Sequence, residues 1–167
     1  ASMKDTVSRI REDVITQTIY DYMPPESIEE QRDLPALESK LQGEYNLKAD
    51  IKGWFKKEPN LAIEEVVKRT NETANKIYAE KEKLAGAEAL HHFERSAMLQ
   101  IIDHQWRSHL SSLDQLRQGI GLRAYGQKDP KQEFKKEAFA LFEALLESIK
   151  YESTRVLMLV QVKNEKD

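Results

Sequence analysis

The apolar residues of this chain fall into helical stripes punctuated by a few glycines and prolines, with almost none of the alternation a strand would show. Val7, Ile10, Val14, Thr18 and Tyr22 recur every three or four residues, widened by Ile15 and Ile19, and predict a first helix from Lys4 to about Tyr22. Pro24 and Pro25 end it, because proline lacks an amide hydrogen and pushes the preceding Met23 out of the helical region. Residues 23–60 are less regular. Pro35 suits the first turn of a short helix carrying Leu37 and Leu41, with Gly43 as its stop. A mixed segment follows from Tyr45 to Pro59, with Trp54 and Phe55 set among lysines. Asn60 then stands as cap of a further helix bearing Ile63, Val66, Thr70, Ala74 and Ile77 on one face, with a break expected near Gly86.

The clearest pattern starts near Phe93. Met98, Ile102, Trp106, His109, Leu113, Leu116 and Ile120 are spaced 4, 4, 3, 4, 3, 4, close to a coiled-coil seam. Gly119, Gly121 and Gly126 then cluster and are expected to stop the helix, the first two as hinge of a loop. Asp129 as cap, Pro130 at the first position and Gln132 at the third mark a new start. The second seam is Ala138, Phe142, Leu145, Ile149, Glu152, Val156 and Leu159, spaced 4, 3, 4, 3, 4, 3. Two seamed helices joined by a short turn make an antiparallel hairpin. The expected fold class is all-α: long helices, an antiparallel two-helix hairpin and a small irregular helical region.

Composition narrows what such a fold can do. The 167 residues are 40% hydrophobic and 33% charged, and the longest aliphatic run, Val156 to Val160, is far short of the ~20 residues that span a bilayer. Cysteine is absent, which excludes disulfides, thiolate metal sites and cysteine nucleophiles, and fits a reducing compartment. No secretory signal is visible, and Ala1, Ser2 and Met3 read as a cloning remnant without weight for the fold. The net charge is only −3, but residues 117–136 hold six basic side chains (Arg117, Arg123, Lys128, Lys131, Lys135, Lys136) against two acidic ones. That imbalance is local and asks for a local explanation.

Candidate chemistry is sparse. The loop from Gly121 to Asp129 is glycine-rich, but Gln127 separates Gly126 from Lys128 and no Ser or Thr follows, so it lacks what a phosphate loop needs. His91, His92, His104 and His109 include no i, i+4 pair that would put two imidazoles on one helix face for zinc, and His109 reads as a hydrogen-bonded core residue. Ser108, His109 and Asp114 lie on one helix, which cannot wrap them around a reacting atom. No catalytic residue, metal site or cofactor is expected. Trp54 and Trp106 read as packing residues. Tyr125 has two readings: a loop ring folded back onto the hairpin, or an amphipathic contact presented at the end of a stiff arm beside Arg123 and Lys128. The basic residues around it are either ordinary surface or a patch that steers the tip toward acidic headgroups, phosphate or an acidic protein.

The stretches MLQIIDHQWRSHL (98–110), LDQLRQGI (113–120), LRAYGQKDPKQEF (122–134) and LLESIKYE (145–152) closely resemble the two-helix finger of the SecA family, the motor ATPases of bacterial preprotein translocation. Upstream, IREDV (10–14), YMPP (22–25), GAE (86–88) and HFE (92–94) are similar to the same family's helical scaffold and wing. The resemblance implies the end of a long scaffold helix over 1–22, a helical wing over 23–92, a finger with its returning helix over 93–162, and a polar tail over 163–167. It also implies that Tyr125, Arg123, Gly126, Gln127 and Lys128 form a fingertip touching the SecYEG channel and the moving preprotein. The finger and scaffold would further restrain ATP hydrolysis by the motor domains, which this sequence does not contain. The implied location is the cytoplasm, peripheral to the bacterial inner membrane. The alternative is a basic hairpin that binds nucleic acid or anionic lipid. Its support is the local charge alone, without a stacking array of aromatics, so nucleic acid is not expected as a partner, whereas an anionic membrane surface stays open.

Overall fold

The computed structural model describes residues 2–123 and 129–163. They form six α-helices: α1 (Met3–Tyr22), α2 (Leu34–Tyr45), α3 (Ile51–Lys57), α4 (Ile63–Ala85), α5 (Ala87–Arg123) and α6 (Pro130–Leu159). A 3-10 turn at Glu29–Gln31 precedes α2, and no strand occurs among the described residues. The fold is all-α, as the periodicity predicts. It divides into two compact units, one of residues 1–94 with 154–167 and the other of residues 95–153.

In the first unit, α1 packs against α2 and α4, and α2 against α3. Ile15, Ile19, Met23, Leu37, Leu41, Tyr45, Leu47 and Ile51 are fully buried. Each such side chain contributes about 1.5–3 kcal/mol by leaving water. Polar groups inside this core are mostly matched: Thr18 donates to the Val14 carbonyl at 2.9 Å, and its Oγ1 also lies 2.9 Å from the Tyr45 hydroxyl.

Several local expectations change. Ser2 is not inert, for its side chain caps α1 by accepting the Asp5 amide at 3.2 Å. Gly43 does not stop α2. The helix runs on to Tyr45, and Asn46 takes the left-handed conformation at φ 51° while the Leu47 amide donates to the Leu41 carbonyl. Asparagine tolerates that geometry, and burial of Leu41 and Leu47 fixes it. The mixed segment contains α3, capped by Asp50 on the Gly53 amide at 3.2 Å. A Cβ at position 53 would collide with that carboxylate. Asn60 caps nothing: it sits with Pro59 in a turn closed by the Leu61 amide on the Glu58 carbonyl, and α4 starts after Ala62. Glu64 and Glu65 in its first turn favour the positive helix end instead.

Gly86, at φ 88°, is the whole connection between α4 and α5. Helix α5 therefore starts at Ala87, ahead of the seam at Phe93.

In the second unit, Met98, His109, Leu116 and Ile120 of α5 and Leu145 and Ser153 of α6 are buried. The rings of His109 and Phe142, one from each helix, are 6.2 Å apart in an edge contact.

Candidate functional site

The sequence places its candidate contact surface at the turn of the hairpin. Tyr125, Gly126, Gln127 and Lys128 lie outside the described residues, as does the side chain of Arg123. The flanks are described. Gly119 and Gly121 do not form a loop hinge: both lie within α5, which continues to Arg123. A Cβ built on either meets nothing within 4 Å, so neither glycine is needed for close approach. The helix carries through them because Leu116 and Ile120 hold it on its buried side. On the far flank Asp129 caps α6, its carboxylate accepting the Lys131 amide at 3.0 Å and its carbonyl the Glu133 amide at 3.1 Å. Arg117, Lys131, Lys135 and Lys136 are exposed.

The seam differs from its sequence outline. Met98, Leu116 and Leu145 are buried, and Leu113 and Ile149 are half-buried. Ile102, Trp106 and Phe142 remain 40%, 45% and 42% exposed. A spacing of 4, 4 from Met98 moves off the buried face of a helix with 3.6 residues per turn, and the neighbouring Ile101 and Gln105 are less exposed instead. Trp106 and Phe142 sit at the seam's edge. Trp106 lies 5.5 Å from His109, which in turn meets Phe142, so the buried His109 packs between two rings.

A buried polar cluster in the first unit escaped the sequence reading. Arg11 of α1 is 7% exposed, with its guanidinium 4.3 Å above the Tyr78 ring of α4 and donating to Asn75 Oδ1 at 3.2 and 3.4 Å. Glu94, in the first part of α5, is almost fully buried beside them. Burial holds the Arg11 guanidinium below its ordinary range, opposed by the fields of Tyr78, Glu94 and Glu12. Burial pushes the Tyr78 phenol well above its ordinary range, and the Glu94 carboxylate adds to the shift. The Tyr78 hydroxyl and Glu94 Oε2 have no protein partner of good hydrogen-bond geometry. The available signal was a lone arginine on the α1 stripe of Val7, Val14 and Thr18.

The end of α6 is also tied down in this unit. Arg155 reaches Glu44 of α2 at 3.0 Å, and Lys81 of α4 donates to the Val160 carbonyl. Thus α1, α2, α4 and the end of α6 are joined by polar contacts as well as by the apolar core, and the start of α5 brings the buried Glu94 into the same interior.

Among the described residues the candidate triad does not come together. Ser108 and Asp114 are exposed and His109 is buried among rings, so they do not assemble a triad. Among the described residues no group of three His, Cys, Asp or Glu could hold a metal ion, and no helix is long and apolar enough to cross a membrane. What the geometry provides in the first unit is a mixed apolar and polar interior that takes in the start of α5 and the end of α6. Compared with known protein families, residues 1–161 match the SecA Wing and Scaffold domain, and the chain belongs to that family.

Proposed function

We propose that this chain is a non-catalytic transmission and contact module of the SecA preprotein translocase motor. The family match over residues 1–161 carries the reading. In it, residues 1–22 end a scaffold helix, 23–92 form the wing, 93–162 form the finger and its returning helix, and 163–167 are a polar tail. Movements driven by ATP in the motor domains pass through the base at α1, α4 and α5 to the finger. Its loop, with Tyr125, Arg123, Gly126, Gln127 and Lys128, meets the SecYEG channel and the translocating preprotein. The same contacts restrain ATP hydrolysis when no preprotein is engaged. Three features support this role. The end of α6 is anchored through Arg155 and Val160, Glu94 near the start of α5 is buried, and α5 is a continuous helix from Ala87 to Arg123. The module needs no cofactor of its own, and it works in the cytoplasm at the face of the inner membrane.

The test is Tyr125→Ala in the complete motor. Translocation should fall about tenfold, the equivalent of roughly 1.4 kcal/mol of lost contact, with folding unchanged. Transport at the normal rate would remove Tyr125 from the mechanism. Added in trans to a motor lacking it, the module should lower basal ATP hydrolysis. If the basic flank instead serves an anionic surface, binding to acidic vesicles should weaken steeply with salt.

A further inference from the structure

The first unit carries a hollow with no part in the reading above. It measures about 480 Å³ and lies where the 3-10 turn, the start of α2 and α3 come together. Leu34, Pro35, Phe55 and Pro59 supply apolar walls, and Arg32, Lys52 and Glu29 supply its charges. That volume falls within the ~300–1,000 Å³ range of ligand sites, and the mixture suits a ligand with an apolar body and a negative group.

Arg32 is held ready. Its Nε donates to Ser27 Oγ at 3.1 Å and its Nη2 to the Ser27 carbonyl at 2.7 Å, while the guanidinium lies 5.6 Å from the Phe55 ring centroid. These contacts fix the plane of the fork, so a carboxylate arriving at its remaining edge orders little further. Lys52 is exposed, and its backbone rather than its ammonium makes the contact to Glu38 at 2.9 Å. Two cations against the single carboxylate of Glu29 leave the hollow short of negative charge. A second groove shares Pro35 and Lys52 and continues past Glu38, Gln42, Lys48 and Asp50, where two carboxylates balance the two lysines, so the excess of positive charge stays at the hollow beside Arg32. A ligand of extended shape could therefore run through both, which favours a length of chain over a small anion.

We infer that this surface binds a peptide segment in which an acidic side chain stands next to an aromatic or large aliphatic one. The apolar side chain enters between Phe55 and the two prolines, and the carboxylate meets Arg32 and Lys52. The inference is independent of the role proposed for the finger.

The probe is the peptide acetyl-Ala-Phe-Asp-Ala-amide, titrated into the isotopically labelled 167-residue chain and followed by amide chemical shifts. Saturable shifts should centre on residues 29, 32, 34, 52 and 55. Exchanging the peptide's Asp for Asn, or its Phe for Ala, should each weaken binding about fivefold, in line with roughly 1 kcal/mol for a partly exposed charge or contact. Because Arg32 also braces Ser27, the decisive variant is Lys52→Gln. It should weaken the acidic peptide about fivefold, leave the Asn peptide unchanged and preserve the spectrum elsewhere. Shifts that do not saturate, that centre on other residues, or that are as strong with the Asn peptide would overturn the assignment. So would a Lys52→Gln chain that binds the acidic peptide as tightly as the original.

Discussion

The two units of this molecule bury their apolar residues under different constraints. In the first, several short and long helices surround a common interior, and eight large side chains from Ile15 to Ile51 lose all contact with water. The second is built from stretches of two helices, and a pair of rods has one mutual face. Its buried set is accordingly thin, while Leu99, Ile102, Trp106 and Leu110 on α5 and Phe139, Phe142 and Leu146 on α6 stay exposed. The difference teaches that stability and contact are divided. One unit holds itself together by layers, and the other keeps oily surface that its own helices leave uncovered.

Truncation of the core is the strongest way to break that contrast. Leu41→Ala should lower the unfolding free energy by about 4 kcal/mol and Leu145→Ala by about 2, the upper and lower parts of the range for such changes. Urea denaturation followed by circular dichroism would show it, and equal losses would mean that the seam is as well packed as the layered core. Next in size is the ionic base. Arg11→Met should cost about 2 kcal/mol, since it removes two hydrogen bonds to Asn75, the stacking on Tyr78 and the favourable field at the buried Glu94. Adding Glu94→Gln should restore part of that loss, and a double-mutant cycle without coupling would sever the two residues.

The glycines of α5 act in the opposite direction. Gly119→Ala and Gly121→Ala should each raise stability by about 0.5–1 kcal/mol, because both positions are helical and unobstructed. A loss in thermal midpoint would restore a bent conformation there. The smallest effect at neutral pH belongs to Tyr78→Phe, which should change stability by no more than about 1 kcal/mol. Its signature is at alkaline pH. The unfolded phenol titrates near 10.0 and the folded one higher, so the folded state gains from keeping this proton. That contribution is complete below pH 10.0 and is lost as the pH climbs above it. The Phe variant should show a flatter decline over that range in urea midpoints.

Much of the architecture is legible from spacing. The stripe at Val7, Val14 and Thr18 and the one at Val66, Thr70 and Ala74 sit on the inward sides of α1 and α4 because amphipathic period and burial have one cause. Short-range stops are harder to read. Gly43 and Gly119 look like breaks, but the cost of a helical glycine is small beside the burial of Leu41, Leu47 or Ile120 next to it. Asn60 has the right chemistry for a cap, yet Pro59 commits it to a turn. The seam at Ile102 and Trp106 drifts because two successive steps of four from Met98 overshoot a helix that turns every 3.6 residues. The ionic base is hidden for another reason: Arg11, Asn75, Tyr78 and Glu94 come from three helices, and no linear pattern joins them.

Gly86 has one more implication. Because a single residue joins α4 to α5, there is no slack strand at that corner for a protease cleft to grip. Limited digestion should therefore leave the Gly86 junction uncut under conditions that nick the irregular stretches at residues 24–28 and 58–62. A bulkier residue at 86 would have to unwind a helix end to relieve φ 88°, and so would expose the cutting site that the wild-type corner withholds.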